Sequence, residues 1–393
     1  MRIAADKTPT LPGNWLGMIG GGQLGRMFCH AAQAMGYKVA VLDPDPASPA
    51  GAVAEQHICT AYTDPHGLQQ LAQRCSVITT EFENVPAESL RALAQSSVVH
   101  PSAQAVAIVQ DRNREKAFIE SAGVPVAPYV PVLSEHDIVK APEALFPGIL
   151  KVARLGYDGK GQARVQSREQ ALRAFQDFEG AECVLEARLP LASELSVVLA
   201  RTATGDMVSY LPSRNEHRDG ILAVSTAGPG LHSPDILEQA ARATRRIAET
   251  LDYVGVMCVE FFVLNDGRLI ANEIAPRPHN SGHYTMNACQ VSQFEQQVRA
   301  VAGMPLGDTR CVQPAVMLNI LGDIWFSAGS SQPQEPDWAS VLAVPGASLH
   351  LYGKAQARKG RKMGHVNVVG ESVQQANSRA AQVAQALGIQ FQP

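Results

Sequence analysis

The sequence predicts a chain of mixed α/β and α+β class, with a doubly wound parallel sheet at its N-terminal end and a larger region built on antiparallel sheet after it. Three observations carry this. Between Trp15 and His100, apolar β-rich runs alternate with amphipathic stretches, the pattern of strand-helix-strand units. After the extended, proline-rich stretch VPVAPYVPV, strand and hairpin signals replace that alternation. Finally, 393 residues exceed the roughly 250 at which single cores stop growing, so two or three domains are expected.

In chain order, Trp15 to Ile19 reads as a first strand, Leu24 to Met35 as a helix stopped by Gly36, and YKVAVLDPD as a second buried strand ending at Asp43. SVITT and SSVVH supply further strands of the same sheet. Residues 111 to 123, DRNREKAFIESAG, form a charged helix ending in glycine, and a boundary is expected beside it. Beyond it FPGILKVA, ARVQ, CVLEA, ELSVVLAR, GVMCVEFFV and RLIANEIA read as strands, with two helical stretches interposed. From Cys311 the chain offers more short strands, a basic loop and a closing helix, Ser372 to Leu387, ended by Gly388. The expected division is 1–112, 113–310 with a lid at about 125–190, and 311–393.

Composition narrows the class of function. Hydrophobic residues at 46% and charged residues at 18% exclude a disordered chain, and a net charge of -4 gives no nucleic-acid footprint. No run approaches the ~18 apolar residues of a membrane span, and the N-terminal segment lacks the apolar core of a signal peptide. A cytoplasmic protein without membrane or nucleic-acid partners is expected. Seven cysteines with no C-x-x-C pair indicate neither a zinc site nor a disulfide framework.

MIGGGQLGRM places G-x-G-x-x-G at Gly20, Gly22 and Gly25, between a strand and a helix, with Asp43 where a ribose-binding carboxylate would stand. Alone, this reads as a dinucleotide turn. Two later stretches point elsewhere. ILKVARLGYDGKGQARV, residues 149 to 165, sets Gly156, Gly159 and Gly161 between two β-rich runs, and Lys160 is followed by Gly161, which excludes a Walker loop. A glycine hairpin folding over phosphates, with Lys151 or Lys160 balancing their charge, fits the stretch; a mobile surface hairpin fits it equally.

The second stretch is VMCVEFFVLNDGRLIANEIAPRPHNSGH, whose Asp266-Gly267 dipeptide signals a two-residue hairpin. If Asn265 pairs with Arg268, Leu264 faces Leu269, Phe262 faces Ala271, and Glu260 faces Glu273. Carboxylates opposed across strands, with Cβ atoms about 5 Å apart, repel each other and call for a cation between them. Oxygen-only ligands favour a hard ion such as magnesium. The alternatives are that one glutamate pairs with Arg277 or is protonated.

In these residues the chain resembles the ATP-grasp ligases, and within them the 5-(carboxyamino)imidazole ribonucleotide synthases of purine biosynthesis. The likeness runs from about Leu16 to the C-terminus through GGGQLGRM, EFENVP, DRNREK, GYDGKGQ, the Glu260 and Asn272-Glu273 hairpin, APRPHNSGH, and the basic stretch ending at His365. It implies an ATP-grasp fold with an N-terminal doubly wound parallel-sheet domain and a small C-terminal β-rich domain. It further implies a ligase of the ATP-, magnesium- and bicarbonate-dependent kind, with manganese as a substitute metal, acting as a homodimer on 5-aminoimidazole ribonucleotide through carboxyphosphate. The rival readings are a formate-dependent glycinamide ribonucleotide ligase of the same superfamily and a nucleotide-binding regulator without turnover. A nicotinamide dehydrogenase is a remote third.

Residue by residue, the resemblance puts Gly22, Gln23 and Leu24 with Glu81 and Glu83 at the acceptor ribonucleotide, and leaves Asp43 a strand-end or turn residue. It puts ATP against Arg112, Lys151, Gly156, Tyr157, Asp158, Gly159, Lys160, Gly161 and Gln162. Glu186 and Glu194 would meet the adenine edge and ribose, with His217, Asn272 and Glu273 also at the nucleotide and Asn215 near the reacting carbonate. Glu260 and Glu273 would hold the metal. In related biotin-dependent carboxylases an asparagine two places beyond the second glutamate helps the ion, whereas Ala275 stands there in this chain. Arg277, His279, Asn280 and Ser281 would grip the bicarbonate-derived group and the acceptor, and Lys354, Arg361 and Lys362 the ribose phosphate. His279 and His283, four apart, are discounted as a zinc pair because proline, asparagine and glycine around them argue against a helix.

Overall fold

The computed structural model describes residues 8–156, 161–326 and 332–392. Three sheets organise it. The first is parallel, with strands β1 (Trp15–Ile19), β2 (Lys38–Leu42), β3 (Gln56–Ile58), β4 (Val77–Thr80) and β5 (Val98–Val99) in the order β3-β2-β1-β4-β5. Its strands are mostly buried, and β1 and β2 mostly apolar, because helices cover both faces. Phe28 and Ala32 of the helix Gln23–Ala34 pack on one face together with Val298 and Val301 from far along the chain, and Leu68, Leu71, Leu90 and Leu93 fill the other.

The helix Arg112–Ser121 then leads out, capped by Asp111, whose carboxylate accepts from the Asn113 and Arg114 amides. It reaches a four-stranded sheet of β6 (Tyr129–Val132), β7 (Gly148–Val152), β8 (Gln162–Val165) and β9 (Cys183–Ala187). The proline-rich connector thus contributes a strand, β6, at the sheet's edge, where a proline costs no ladder bond. β7 and β8 pair antiparallel, Lys151 opposite Gln162, so the second glycine loop closes a hairpin.

The third sheet holds β10 (Leu191–Arg201), β11 (Met207–Ser209), β12 (Ser213–Arg218), β13 (Ile221–Ala227), β14 (Gly255–Leu264), β15 (Leu269–Ala275), β16 (Ala315–Leu321), β17 (Ala347–Leu351) and β18 (Lys362–Val369). Its order is β15-β14-β10-β12-β13-β16-β18-β17, with β11 beside β10. β12 and β13 are strands the sequence reading did not single out. The last three strands extend the sheet of the central region directly, since β16 pairs with β13. The closing helix Val373–Leu387, capped by Ser372 and ended by Gly388 at φ +64, packs Ala376, Ala380 and Val383 into the core of that extension. Among the described residues no helix is long and apolar enough to cross a membrane.

Candidate active site

Between the four-stranded sheet and the large sheet lies a cleft of about 820 Å³, rich in charged side chains and floored by β14 and β15. A second concavity, about 640 Å³ between the helices Pro65–Arg74 and Ala87–Leu93, has a mostly apolar surface, with Glu88 as its one charged lining residue. Reacting groups need the first kind.

Strand register builds the floor. It lines up Glu273, Glu260, Ser196 and Ser213 in one row across β15, β14, β10 and β12, and Glu194, Asn215 and Ser225 in the next. The two glutamates therefore do oppose each other, but not through the expected turn. Leu264 faces Arg268 across a loop of Asn265, Asp266 and Gly267, with Gly267 at φ +84 as a three-residue hairpin requires. Near the turn the pairs are one residue off the expected ones, Phe262 opposite Ile270 and Val263 opposite Leu269. A bulge beyond Phe261, which gives β15 the extra residue Asn272, restores the register at Glu260 and Glu273.

The carboxylates differ in state. Burial pushes Glu260 up to about 7, with His217 pulling against it and Glu273 adding to it. Burial acts on Glu273 too, but Arg112 and Lys151 outweigh it and hold that carboxyl below its usual range. The Arg112 guanidinium sits 3.1 Å from Glu273 Oε2. Arg277, the cation expected to compete for a glutamate of the hairpin, instead pairs with Glu83 of the first domain at 2.6 Å. The side-chain oxygen of Asn272 is buried and has no hydrogen-bond partner among the described residues. Two carboxylates and one orphaned amide oxygen form a hard, all-oxygen donor set.

Behind Glu273, a second carboxylate braces the backbone. Glu115 is buried, accepts from the Ile274 amide at 2.6 Å, and is driven up to about 8 by burial and by Glu273. Deeper, Glu186 lies between Lys116 and Lys151, 3.1 Å from each. Burial opposes its charge, but the two ammonium groups outweigh it and bring the carboxyl down to about 2. Burial also lowers Lys151, with Lys116 and Arg112 contributing. On β10, the Glu194 carboxylate Oε2 lies 2.5 Å from His217 Nδ1 as an ion pair. Burial would depress that imidazole; the bond to Glu194 and the field of Glu260 raise it to about 9.

The loop after β15 crosses over this floor. His279 Nδ1 lies 2.8 Å from the Ser281 hydroxyl and receives the Ser281 backbone N–H. An amide can only donate, so Nδ1 is the acceptor and the proton sits on Nε2, 3.4 Å from Glu260 Oε1. Burial and the neighbouring cations keep this imidazole neutral. Ser281 is fully buried and sits in a hydroxyl cluster: Ser196 donates to it at 2.6 Å, and Ser225 donates to its carbonyl at 3.1 Å. Asn215 belongs to the same cluster, donating to Ser196 and accepting from Ser225. The side chains of Asn215 and Ser281 thus lie under the loop rather than along the cleft wall.

At the far end three segments meet. Gln23 donates to Asn280 at 3.2 Å, and Lys354 donates to Gln23 at 2.8 Å and to the Lys362 carbonyl at 2.6 Å. Lys362 lines the cleft, whereas Arg361 donates to the exposed Gln356 carbonyl. Leu24 is buried against Met27, Phe294 and Tyr352. Gly156 and Gln162 line the opposite wall, and Gly161 has φ +68 in the β7–β8 connection; Tyr157, Asp158, Gly159 and Lys160 lie outside the described residues.

The first glycine turn proves to be filled. Both oxygens of the buried Glu81 accept from amides at the start of the helix Gln23–Ala34, one from Gly22 and the other from Gly25 at 2.7 Å. A Cβ on Gly22 would stand 2.5 Å from Glu81 Oε1, so a larger residue there would displace the carboxylate from the helix start. Asp43 accepts from the Gly21 amide at 2.7 Å and from the Tyr62 hydroxyl at 2.6 Å, a structural staple. An internal carboxylate occupies the place a pyrophosphate takes in dinucleotide folds. Lys116, Glu115 and Gln293 were not singled out in the sequence. The first two sit inside a phrase whose charges read as a solvated helix face.

Comparison with known proteins shows the family and the fold. Family models match in three consecutive parts: a ribonucleotide synthetase preATP-grasp domain over residues 14–110, an ATP-grasp domain over 117–294, and a phosphoribosylaminoimidazole carboxylase C-terminal domain over 315–379. The chain is 46% identical to the N5-carboxyaminoimidazole ribonucleotide synthase of Brucella melitensis over 364 residues, 92% of this chain and 98% of that one. It superposes on the Staphylococcus aureus N5-carboxyaminoimidazole synthetase complexed with ADP at TM-score 0.87 and 37% identity, covering 96% of this chain and 99% of that one. The Aspergillus clavatus N5-carboxyaminoimidazole synthase, solved with ADP and 5-aminoimidazole ribonucleotide, gives TM-score 0.86 and 30% identity, with 95% and 98% covered.

Proposed function

The chain belongs to the N5-carboxyaminoimidazole ribonucleotide synthases of the ATP-grasp superfamily, and from that membership we propose how its cleft uses ATP to join bicarbonate to the exocyclic amine of 5-aminoimidazole ribonucleotide. One observation supports the assignment of ends within the cleft. The opposed pair Glu260 and Glu273, beside Arg112 and Lys151, lies at one end, and the Gln23–Asn280–Lys354 junction at the other, with His279 between.

ATP lies along the first end, its phosphates met by Arg112 and Lys151 and covered by the glycine hairpin. The donor set of Glu260, Glu273 and the unpartnered Asn272 oxygen fits a magnesium ion, with nucleotide oxygens completing its shell in place of the asparagine that Ala275 replaces. Among the described residues no three acidic, thiol or imidazole side chains form a metal cluster, so such completion is needed. When bound, the ion neutralises charge on the transferring phosphoryl group. A bicarbonate oxygen attacks the γ-phosphorus as the bond to ADP breaks, giving carboxyphosphate and ADP. The acceptor amine then bonds to the carboxyl carbon as inorganic phosphate leaves and the nitrogen gives up a proton.

His279 serves as a neutral donor, its Nε2–H aimed at the developing oxyanion, and Arg277, fixed by Glu83, supplies positive charge beside it. Lys354 and Asn280 hold the acceptor, with Arg361 and Lys362 at its phosphate. Catalysis of this type is positioning and charge neutralisation in a site closed to water, which accounts for the excess of cations over acid-base groups. A homodimer in the cytoplasm completes the reading. The test is ATP hydrolysis with and without aminoimidazole ribonucleotide and bicarbonate, with the product traced from labelled bicarbonate. Turnover that ignores both, or label entering only from formate, would overturn it.

A further inference from the structure

Gln293 opens the helix Gln293–Val301 and is fully buried, yet every polar atom of its amide is engaged by the loop that carries His279. Its Oε1 accepts from the His279 backbone N–H at 2.9 Å, and its Nε2 donates to the His279 carbonyl at 2.8 Å. The second hydrogen on Nε2 faces His283 Nδ1 at 3.0 Å. The side chain thus pairs with one residue's main chain at both its donor and its acceptor, as a neighbouring strand would. Its orientation is determined: turned over, the amide would set NH₂ against an N–H and oxygen against a carbonyl.

Two further contacts explain why this clamp can be tight. A Cβ on Gly282 would fall 2.5 Å from Gln293 Oε1, so any larger residue there would push the amide off its present position. The helix itself is anchored twice, because Gln297 donates to Thr79 of β4 at 2.9 Å and accepts from the Val256 amide of β14 at 2.5 Å. It therefore joins the first sheet to the large sheet and presents Gln293 from a fixed base.

We propose that Gln293 is a positioning residue for the carboxylation reaction, holding the His279 backbone so that the imidazole Nε2 stays over Glu260 where acceptor and activated carbonate meet. The proposal rests on the functional reading given above. Gln293 touches no substrate in it and acts only through His279.

Gln293→Met keeps the length and removes all three bonds. Gln293→Glu keeps an acceptor for the His279 N–H but has nothing to donate to its carbonyl, and it covers the case in which the methionine variant fails to fold. For either, the expected result is a 10- to 100-fold loss of kcat for carboxylation, with KM for ATP within twofold of wild type. The ring-nitrogen NMR signals of His279 should lose the single Nε2–H pattern. Wild-type kcat with unchanged His279 signals would overturn the proposal, and so would a uniform loss of all kinetic parameters in step with thermal stability. If the wild-type protein shows no turnover dependent on aminoimidazole ribonucleotide, the functional reading fails, while the His279 signals still decide whether Gln293 sets that side chain.

Discussion

The carboxylate of Glu81 lies 2.7 Å from the Gly25 amide, filling with protein the helix start that the glycine pattern of Gly20, Gly22 and Gly25 would offer to a phosphate. Nucleotide is therefore expected at the cleft and not at this turn. ATP with magnesium should raise the melting temperature, and NAD at the same concentration should leave it unchanged; a shift with NAD would contradict the role given to Glu81.

Replacing Glu81 by alanine strips two amides at that helix start of their acceptor inside the protein. A loss of about 2 kcal/mol is expected from urea unfolding, since buried donors are left unsatisfied. A midpoint equal to wild type would show that solvent reaches the turn.

Glu273→Gln keeps the shape of the hairpin but removes the more fully ionised carboxylate of the opposed pair. Magnesium-dependent turnover should fall by at least about 100-fold with the far-UV spectrum unchanged, as for removal of a charge-stabilising group aimed at phosphoryl transfer. Activity near wild type across a magnesium titration would rule out the metal assignment.

Lys116→Met leaves Glu186 with Lys151 as its remaining partner in a buried setting. Removing one member of a buried ion cluster costs about 3 kcal/mol, read as a lower urea midpoint. The double change Lys116→Met with Glu186→Gln should be less stable still, because it leaves the buried Lys151 ammonium without its carboxylate partner.

His217 carries the pH prediction. Its folded value of about 9 lies above the ordinary histidine range near 6.5, so its pairing with Glu194 stabilises the fold fully below about 6.5 and loses that contribution as pH rises through about 9. The span corresponds to at most about 3 kcal/mol, and His217→Phe should flatten the stability profile between those values. An unchanged slope would mean the imidazole is neutral in the fold.

Much of this was legible in the sequence, for reasons that differ by element. Alternation and apolar runs gave the parallel sheet, because strands covered on both faces leave no ambiguity of pattern. The opposition of Glu260 and Glu273 followed from counting back from Asp266-Gly267, yet the count held only because a longer loop and the extra residue Asn272 offset each other. A bulge leaves no mark in composition. Most other site residues came from resemblance rather than from spacing. The burial of Lys116 and Glu115 was hidden because a charged helix reads as solvated until its packing partners are known, and Gln293 carries no signal at all outside the fold.

β16 hydrogen-bonds to β13, so the last fifth of the chain is stitched edge to edge onto the sheet that holds Glu260. A backbone cut by a protease between residues 302 and 314 should thus yield two pieces that stay together through gel filtration, and pieces produced separately should reassemble when mixed. The four-stranded sheet has no such ladder to either of the other two, and side chains tie it to the rest instead, Glu186 to Lys116 among them.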